Sequence, residues 1–309
     1  MLEKIVNYGK KIVKSIALPL TLLASLEGCT ALSKPQIIPY QDSYIQVTDE
    51  KSKTKVTVFR KGDIEITLMG VSHIGTKRYY SEIEKRLNSA DIIIAEGPKN
   101  ERSFANALAT FPFRYIDYLN SKTNKFNSTF FTGLEQQKNC LKPKIKIVIA
   151  DMTHEEYEKR TVSWTKDNKS NFLLWLHNLD SLPGHLIRLP LIPVSLVYNF
   201  IDAGIGCATI GPKEFKNRKK IKFENANTET AKTLREIEWR EGEKNEGYKT
   251  LFTDRDKYVL PALYEAIKKG YRKPAIVRGA LHMENLDKSL ERDGWKKVNG
   301  DWLETMPLK

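Results

Sequence analysis

Residues 64–97 read IEITLMGVSHIGTKRYYSEIEKRLNSADIIIAEG. Residues 64–69 form an apolar run with β-branched side chains, the pattern of a strand. Within 77–88, Tyr80, Ile83, Glu84 and Leu87 recur at helical spacing with charges between them. Ile92, Ile93 and Ile94 make a second apolar run, too short for a helix. Strand, helix and strand in so few residues predict a right-handed βαβ unit with parallel strands. Each strand runs into a reactive group: Gly70-x-x-His73 follows the first, Glu96-Gly97 the second. Open α/β sheets bind ligands at the carboxyl ends of their strands. His73 and Glu96 are therefore expected side by side at one rim of a sheet.

The same arrangement recurs near the other end of the chain. Residues 273–281 read KPAIVRGAL, and His282 follows. Ala275, Ile276 and Val277 form the strand, and Gly279-x-x-His282 the exit. The chain has only five histidines, and two of them stand in this context. Gly70 and Gly279 suit tight strand exits and a close approach of backbone to backbone. The fold class implied is α/β: a mixed central sheet with helices on both faces, built around βαβ units.

The segments GVSHIG, ADIIIAEGP, FTDRDKYVLPALYEAI and AIVRGALHMENLDKSLERDGW resemble the TraB/TIKI superfamily, GumN-like proteins included. That family shows a first Gly-x-x-His, a strand-end Glu, an Arg-Asp or Arg-Asn pair opening a helix, and a last Gly-x-x-His before a helix and a glycine. Order and spacing match over residues 55–295, more loosely within 104–245, where IKIVIADMTHEEY carries most of the likeness.

The chain of 309 residues holds 51 basic and 38 acidic residues, a net charge of +13. The basic residues are scattered, and no nucleic-acid motif with interleaved aromatics is present, so nucleic acid is not an expected partner. One cluster, Lys216, Arg218, Lys219, Lys220 and Lys222, reads as a solvated loop face, with attraction to an anionic membrane as the alternative.

Residues 1–29 read as a targeting segment. Lys4, Lys10, Lys11 and Lys14 make a positive region, and 16–26 an apolar one too short to span a bilayer. Leu26-Glu27-Gly28-Cys29 resembles a bacterial lipobox, with Glu27 a departure from it. The expectation is a lipoprotein signal peptide with Cys29 lipidated, each buried CH₂ contributing about 0.8 kcal/mol to anchoring. Residues 30–53 read as a tether and 54–309 as the α/β domain. This places the protein membrane-anchored and extracytoplasmic, in the periplasm or at the cell surface.

Lys61-Gly62-Asp63 predicts a hairpin between 56–60 and 64–69. Residues 101–119 read as a helix with core aromatics and 121–132 as loop. Residues 144–150 read as a strand ending at Asp151, a strand-end acid that is a further candidate for the site, and Thr153 with Glu156 as a capping box, with His154 an exposed first-turn residue. Residues 171–211 are apolar but broken by Pro183, Pro190 and Pro193: a helical insertion or lid, or an interfacial hairpin. His177 and His185 within it read as structural. Residues 226–248 read as a solvated helix. Thr253 and Asp256 suggest a second capping box, opening a helix over 254–269 kinked at Pro261. A helix over 284–292 closes at Gly294, and Asn299-Gly300 predicts a terminal hairpin. Cys140 and Cys207 leave a disulfide open, and no Cys-x-x-Cys zinc spacing exists.

Two imidazoles and a carboxylate at one rim, His73, Glu96 and His282, suit a divalent transition metal with room for a water. Such a metal lowers the pKa of that water and polarises a carbonyl. Without metal, Glu96 orients a histidine that acts as general base. Arg255 at a helix start offers a fixed positive fork for a carboxylate or an oxyanion. Asp256 is placed to orient Arg255 or His282. The helix-borne signature His-Glu-x-x-His is absent. The resemblance implies metal-dependent proteolysis of extracellular peptides in some members, and relatives that include a metal-free esterase and a lipid-anchored haem-binding protein. The expectation is a hydrolase, metal-dependent (manganese, cobalt or zinc) and peptidase-like, acting on short extracytoplasmic peptides or another small-molecule substrate. The alternative is a non-catalytic binder of peptide or haem at the same rim.

Overall fold

A computed structural model describes residues 35–97, 134–153, 155–157, 160, 208 and 210–309. The readings of 1–29 with Cys29, of 101–132, of His154, His177, His185 and Cys207, and of nearly all of 171–211 lie outside these residues. No helix among the described residues is long and apolar enough to cross a membrane. The chain forms two compact units, one of Met1–Gln36, Ala105–Gly133 and Phe172–Lys222, the other of Ile37–Phe104, Leu134–Asn171 and Phe223–Lys309. Of the first unit, the described part is chiefly the opening of a long helix, α2 (Pro212–Arg240). The second unit is a mixed α/β sheet with helices on both faces.

Its sheet starts from the expected hairpin. β3 (Lys51–Lys61) and β4 (Ile64–Val71) are antiparallel, Val56 opposite Met69, and Gly62 takes φ +61° in the turn, a conformation that favours glycine. β1 (Tyr40–Gln41) pairs β2 (Ile45–Val47), and β2 pairs the first residues of β3. Two short strands, β5 (Ile74–Gly75) and β7 (Glu135–Gln136), pair apart from the main sheet. β6 (Ile92–Ala95), β8 (Ile147–Ile149) and β9 (Pro274–Gly279) continue it past β4 in the order β4-β9-β6-β8, all parallel. β10 (Lys296–Pro307) runs antiparallel along β3.

The βαβ unit of residues 64–97 is present, with one change. α1 (Lys77–Leu87) links β4 to β6, its first turn capped by Thr76, whose hydroxyl accepts from Tyr79 N at 3.2 Å. The two strands are not neighbours, because β9 lies between them. Pro274 to Arg278 are all buried, which suits a strand covered on both faces. On one face Phe59, Ile66, Leu68, Ile94 and Ile276 pack with Val259 and Leu263 of α3 (Val259–Lys268) and with Met283, Leu286 and Leu290 of α4 (Met283–Arg292). On the other, Tyr79, Tyr80, Ile83 and Leu87 of α1 cover Met69, Val71, Ile93, Ala275 and Val277. Each such side chain contributes about 1.5–3 kcal/mol by leaving water.

Several expectations are corrected. The segment expected as a tether enters the sheet from Tyr40 on. Tyr44 is fully buried, its hydroxyl donating to Asp287 Oδ2 at 2.7 Å and lying 3.0 Å from Thr57 Oγ1. Asn299-Gly300 makes no hairpin; it lies inside β10, beside a bulge at Lys297–Asn299 that absorbs the irregularity. The basic cluster stands on the helix Pro212–Arg240 rather than in a loop, with Arg218 paired to Glu214 one turn back at 2.9 Å. The helix expected over 226–248 ends at Arg240 and is solvated on one side only. Glu224, Thr228 and Ala231 are buried, while Trp239 is 83% exposed. Thr253 makes no side-chain cap. The helix expected over 254–269 is interrupted at Lys257–Tyr258, one turn ahead of Pro261, which stands in the first turn of α3. The box at Thr153 is as expected: Glu156 N donates to Thr153 Oγ1 and Thr153 N to Glu156 Oε2, at 3.2 and 2.9 Å.

Tyr44→Phe removes a hydroxyl that serves two buried partners. It should lower unfolding stability by about 1–3 kcal/mol, read from urea midpoints at unchanged slope.

Candidate active site

Four parallel strands end at one edge, and each delivers a polar group there. His73 follows β4, Glu96 follows β6, Asp151 follows β8, and β9 ends in Arg278 and Gly279. A 3-10 turn, Ala280–His282, then carries His282. This turn and β4 approach closely: a Cβ on Gly70 would lie 3.2 Å from Ala280 Cα and 3.2 Å from Met283 Cγ. The fifth contributor is a π-helical turn, Lys249–Thr253, leading into the helical turn Asp254–Asp256. It brings Arg255 and Asp256 to the edge and sets the Phe252 ring against His282, centroids 4.8 Å apart. Such π-turns are frequent at functional sites.

The polar groups form a closed ring. Arg255 Nη2 lies 2.6 Å from Asp151 Oδ2 and 2.7 Å from Glu96 Oε1, and Arg255 Nε donates to Asp151 Oδ1 at 3.0 Å. Glu96 Oε1 lies 3.6 Å from His282 Nε2. Glu96 Oε2 accepts from Gly279 N at 2.8 Å. His282 Nδ1 lies 2.9 Å from Asp256 Oδ1, which is 3.3 Å from Arg278 Nε. Arg278, 1% exposed, donates from Nη1 to Ala150 O at 2.9 Å, and its Nη2 returns to Asp151 at 3.9 Å. Gly97 N donates to Asp151 Oδ2 at 3.1 Å. Asp256 accepts from Nδ1 of His282, so that nitrogen carries a proton, and Nε2 faces Glu96 Oε1.

His73 enters from outside this ring. Its Nδ1 lies 3.0 Å from Gln137 Oε1, and Gln137 N donates to His73 O at 2.9 Å. Gln137 Oε1 is an acceptor, so His73 Nδ1 is the donor of this pair and Nε2 points away from it. Around Gly279 the three expected residues converge. A Cβ there would stand 3.6 Å from Glu96 Oε2, 3.6 Å from His282 Cδ2 and 3.7 Å from His73 Nε2.

Burial pushes the Glu96 carboxyl up. His282, Arg255, Arg278 and the Gly279 amide oppose this and together bring it down to about 2. Arg255 is likewise disfavoured as a cation by burial, but its bond to Asp151 and the charge of Glu96 hold it firmly protonated.

As a metal centre the donor set fits only in part. The two histidines are fixed from behind through Nδ1, as metal-ligating histidines are. Glu96 does not fit the ligand role: one oxygen holds a guanidinium at 2.7 Å and the other an amide N–H. Among the described residues no group of three or more His, Cys, Asp or Glu is placed to hold a metal ion. The arrangement instead suits acid–base work by side chains.

Two cavities meet at the rim. One of about 630 Å³ has a mostly apolar wall, with Leu87, Ile93, Leu141 and Ile147. One of about 520 Å³ includes His282, Gly279 and Phe252. His73, Glu96 and Arg255 line both.

The structure thus brings His73, Glu96, Arg255, Asp256 and His282 together; Cys29 lies outside the described residues. Arg255 faces two carboxylates rather than open space, so it positions Glu96. Asp151, a strand-end acid that was a candidate for the site, does join it. Two partners were not among the expected site residues. Arg278 had a signal in hand, a charge inside the apolar run AIVRG, which burial forces to find a partner. Gln137 has no signal in the sequence.

Glu96 titrates lower folded, about 2, than its ordinary 4.5. Its contribution is therefore fully present above about pH 4.5 and lost as pH falls towards 2. Urea unfolding between about pH 5 and 2 should cost wild type on the order of 3 kcal/mol more than Glu96→Gln, which has no such proton to take up. No family model, curated protein or solved structure matches this chain.

Proposed function

We propose that the chain is a hydrolase of the TraB/TIKI type acting on short extracytoplasmic peptides, and that it works through histidine rather than through a metal on Glu96. The observation that carries this reading is His282, held from behind by Asp256 at 2.9 Å and lining the 520 Å³ cavity with Nε2 towards Glu96. Support for the family comes from the two Gly-x-x-His exits and the strand-end Glu. Support for a lipid anchor comes from Leu26-Glu27-Gly28-Cys29.

In this mechanism His282 Nε2 takes a proton from a water as the water oxygen bonds to the scissile carbonyl carbon. The imidazolium so formed lies between two carboxylates, Asp256 and Glu96, which stabilise its charge. The proton then passes to the leaving nitrogen as the C–N bond breaks, restoring the neutral ring. His73, on the exposed side of the same point, hydrogen-bonds the water or the leaving group. Arg255 and Arg278 hold the carboxylates in place. General acid–base catalysis of this kind is worth about 10²–10⁴-fold.

A library of short peptides and esters incubated with the full chain, with and without chelator, tests the reading. Turnover should resist the chelator and fall at least about 100-fold in His282→Ala. Turnover abolished by chelator and restored by manganese, cobalt or zinc would overturn the metal-free mechanism. Binding of peptide or haem with no turnover would overturn the enzyme.

Gly279→Ala offers a second check. The backbone φ of Gly279 is −52°, which alanine adopts freely, and the added methyl meets only ordinary contacts. The variant should melt within a degree or two of wild type yet lose most activity, because the methyl occupies the space between His73, Glu96 and His282.

A further inference from the structure

Four carboxylates are buried among the described residues: Asp151, Glu224, Asp254 and Asp287. Three have cations. Asp151 faces Arg255, Asp254 faces Lys257 and Arg160, and Asp287 faces Lys297. Glu224 has none among the described residues. It accepts from Ser52 Oγ at 2.8 Å and, at 3.5 Å, from Asn227 Nδ2, both neutral groups. An isolated buried charge is costly unless paired.

Glu224 also lies on the wall of the 520 Å³ cavity that contains Glu96 and His282. The same wall holds two buried hydroxyls, Thr228 Oγ1 and Thr305 Oγ1, that have no hydrogen-bond partner among the described residues. Thr228 follows Glu224 by one helical turn, on the same face. Buried polar atoms of this kind are normally satisfied, so they point to a missing partner. A carboxylate and hydroxyl acceptors suit a group with one positive charge and several N–H bonds. A primary ammonium has both, with three donors.

We infer that Glu224, with Thr228 and Thr305, forms a subsite for a primary ammonium group of the substrate, the amino terminus of a peptide or a lysine side chain. This rests on the hydrolase reading for its place next to His282, but the binding itself needs no turnover. Burial raises the Glu224 carboxyl above its ordinary value against the pull of Ser52 and Asn227, so an arriving cation would favour its ionised form.

The test is calorimetric binding to the full chain in a His282→Ala background, with and without Glu224→Gln. Three probes are used: a four-residue apolar peptide with a free amino terminus, its N-acetylated twin, and an N-acetylated twin carrying one lysine. The free-amine peptide should bind about ten- to a hundredfold more tightly than the acetylated one. Recovery with the lysine twin would assign the ammonium to a side chain as well; no recovery would confine it to the amino terminus. Glu224→Gln keeps an acceptor for Ser52 and should erase the difference without moving the melting temperature. Thr228→Val should reduce it. Equal binding of all three probes, an equal loss for all three in Glu224→Gln, a preference that survives that substitution, or no binding would each overturn the subsite. Binding with the expected preference but no hydrolysis by wild type would leave the subsite standing and overturn the hydrolase.

Discussion

One guanidinium fixes the geometry of the rim. Arg255 spans Asp151 and Glu96, which follow the adjacent strands β8 and β6. Both carboxylates are largely withdrawn from water, so neither can stay ionised without a cation. Through Glu96 the constraint reaches the Gly279 amide and His282; through His282 it reaches Asp256 and Arg278, and Arg278 leads back to Asp151. Buried ion pairs add little net stability, but removing one partner leaves an uncompensated charge costing about 3–5 kcal/mol. The ring is therefore better understood as a device that specifies side-chain positions. It also explains the π-turn at Lys249–Thr253, whose irregular backbone presents two adjacent residues, Arg255 and Asp256, to different partners in the ring.

Held in this way, Glu96 stays anionic at any physiological pH, and the rings of His73 and His282 face the space over Gly279. The absence of a side chain at Gly279 keeps that space open, while its N–H holds Glu96. The base of the proposed mechanism needs a fixed orientation and a site of low dielectric. His282 is fixed by Asp256 and buried, while His73 is oriented by Gln137 and exposed.

Much of the rim was legible in the sequence because strand ends obey a simple rule. In a parallel sheet every strand exit reaches the same edge, so Gly-x-x-His73, Glu96 and Gly-x-x-His282 had to meet if all three strands ran parallel. Thr153 and Glu156 were legible for a local reason, since a capping box closes within four residues. Strand order was not legible. Nothing within 64–97 marks the gap into which β9 inserts, because hydrogen bonding between strands is made by backbone. Asn299-Gly300 misled for the opposite reason. Its local preference for a turn was outweighed by pairing along the whole length of β3. Residues 226–248 looked solvated because the buried positions of the helix Pro212–Arg240 mix Glu224 and Thr228 with Phe215, Ile221 and Ala231, so the usual apolar stripe is interrupted.

The insertion of β9 between β4 and β6 also makes the rim depend on residues far apart in the chain. Gly279 and Glu96 bond across 183 residues. Both inner edges of β4 and β6 are covered by β9, which leaves neither open to pairing with other chains. Contacts of such long range close large loops, and sheets built on them fold more slowly than local structures. The rim is complete only with a strand drawn from the last tenth or so of the chain.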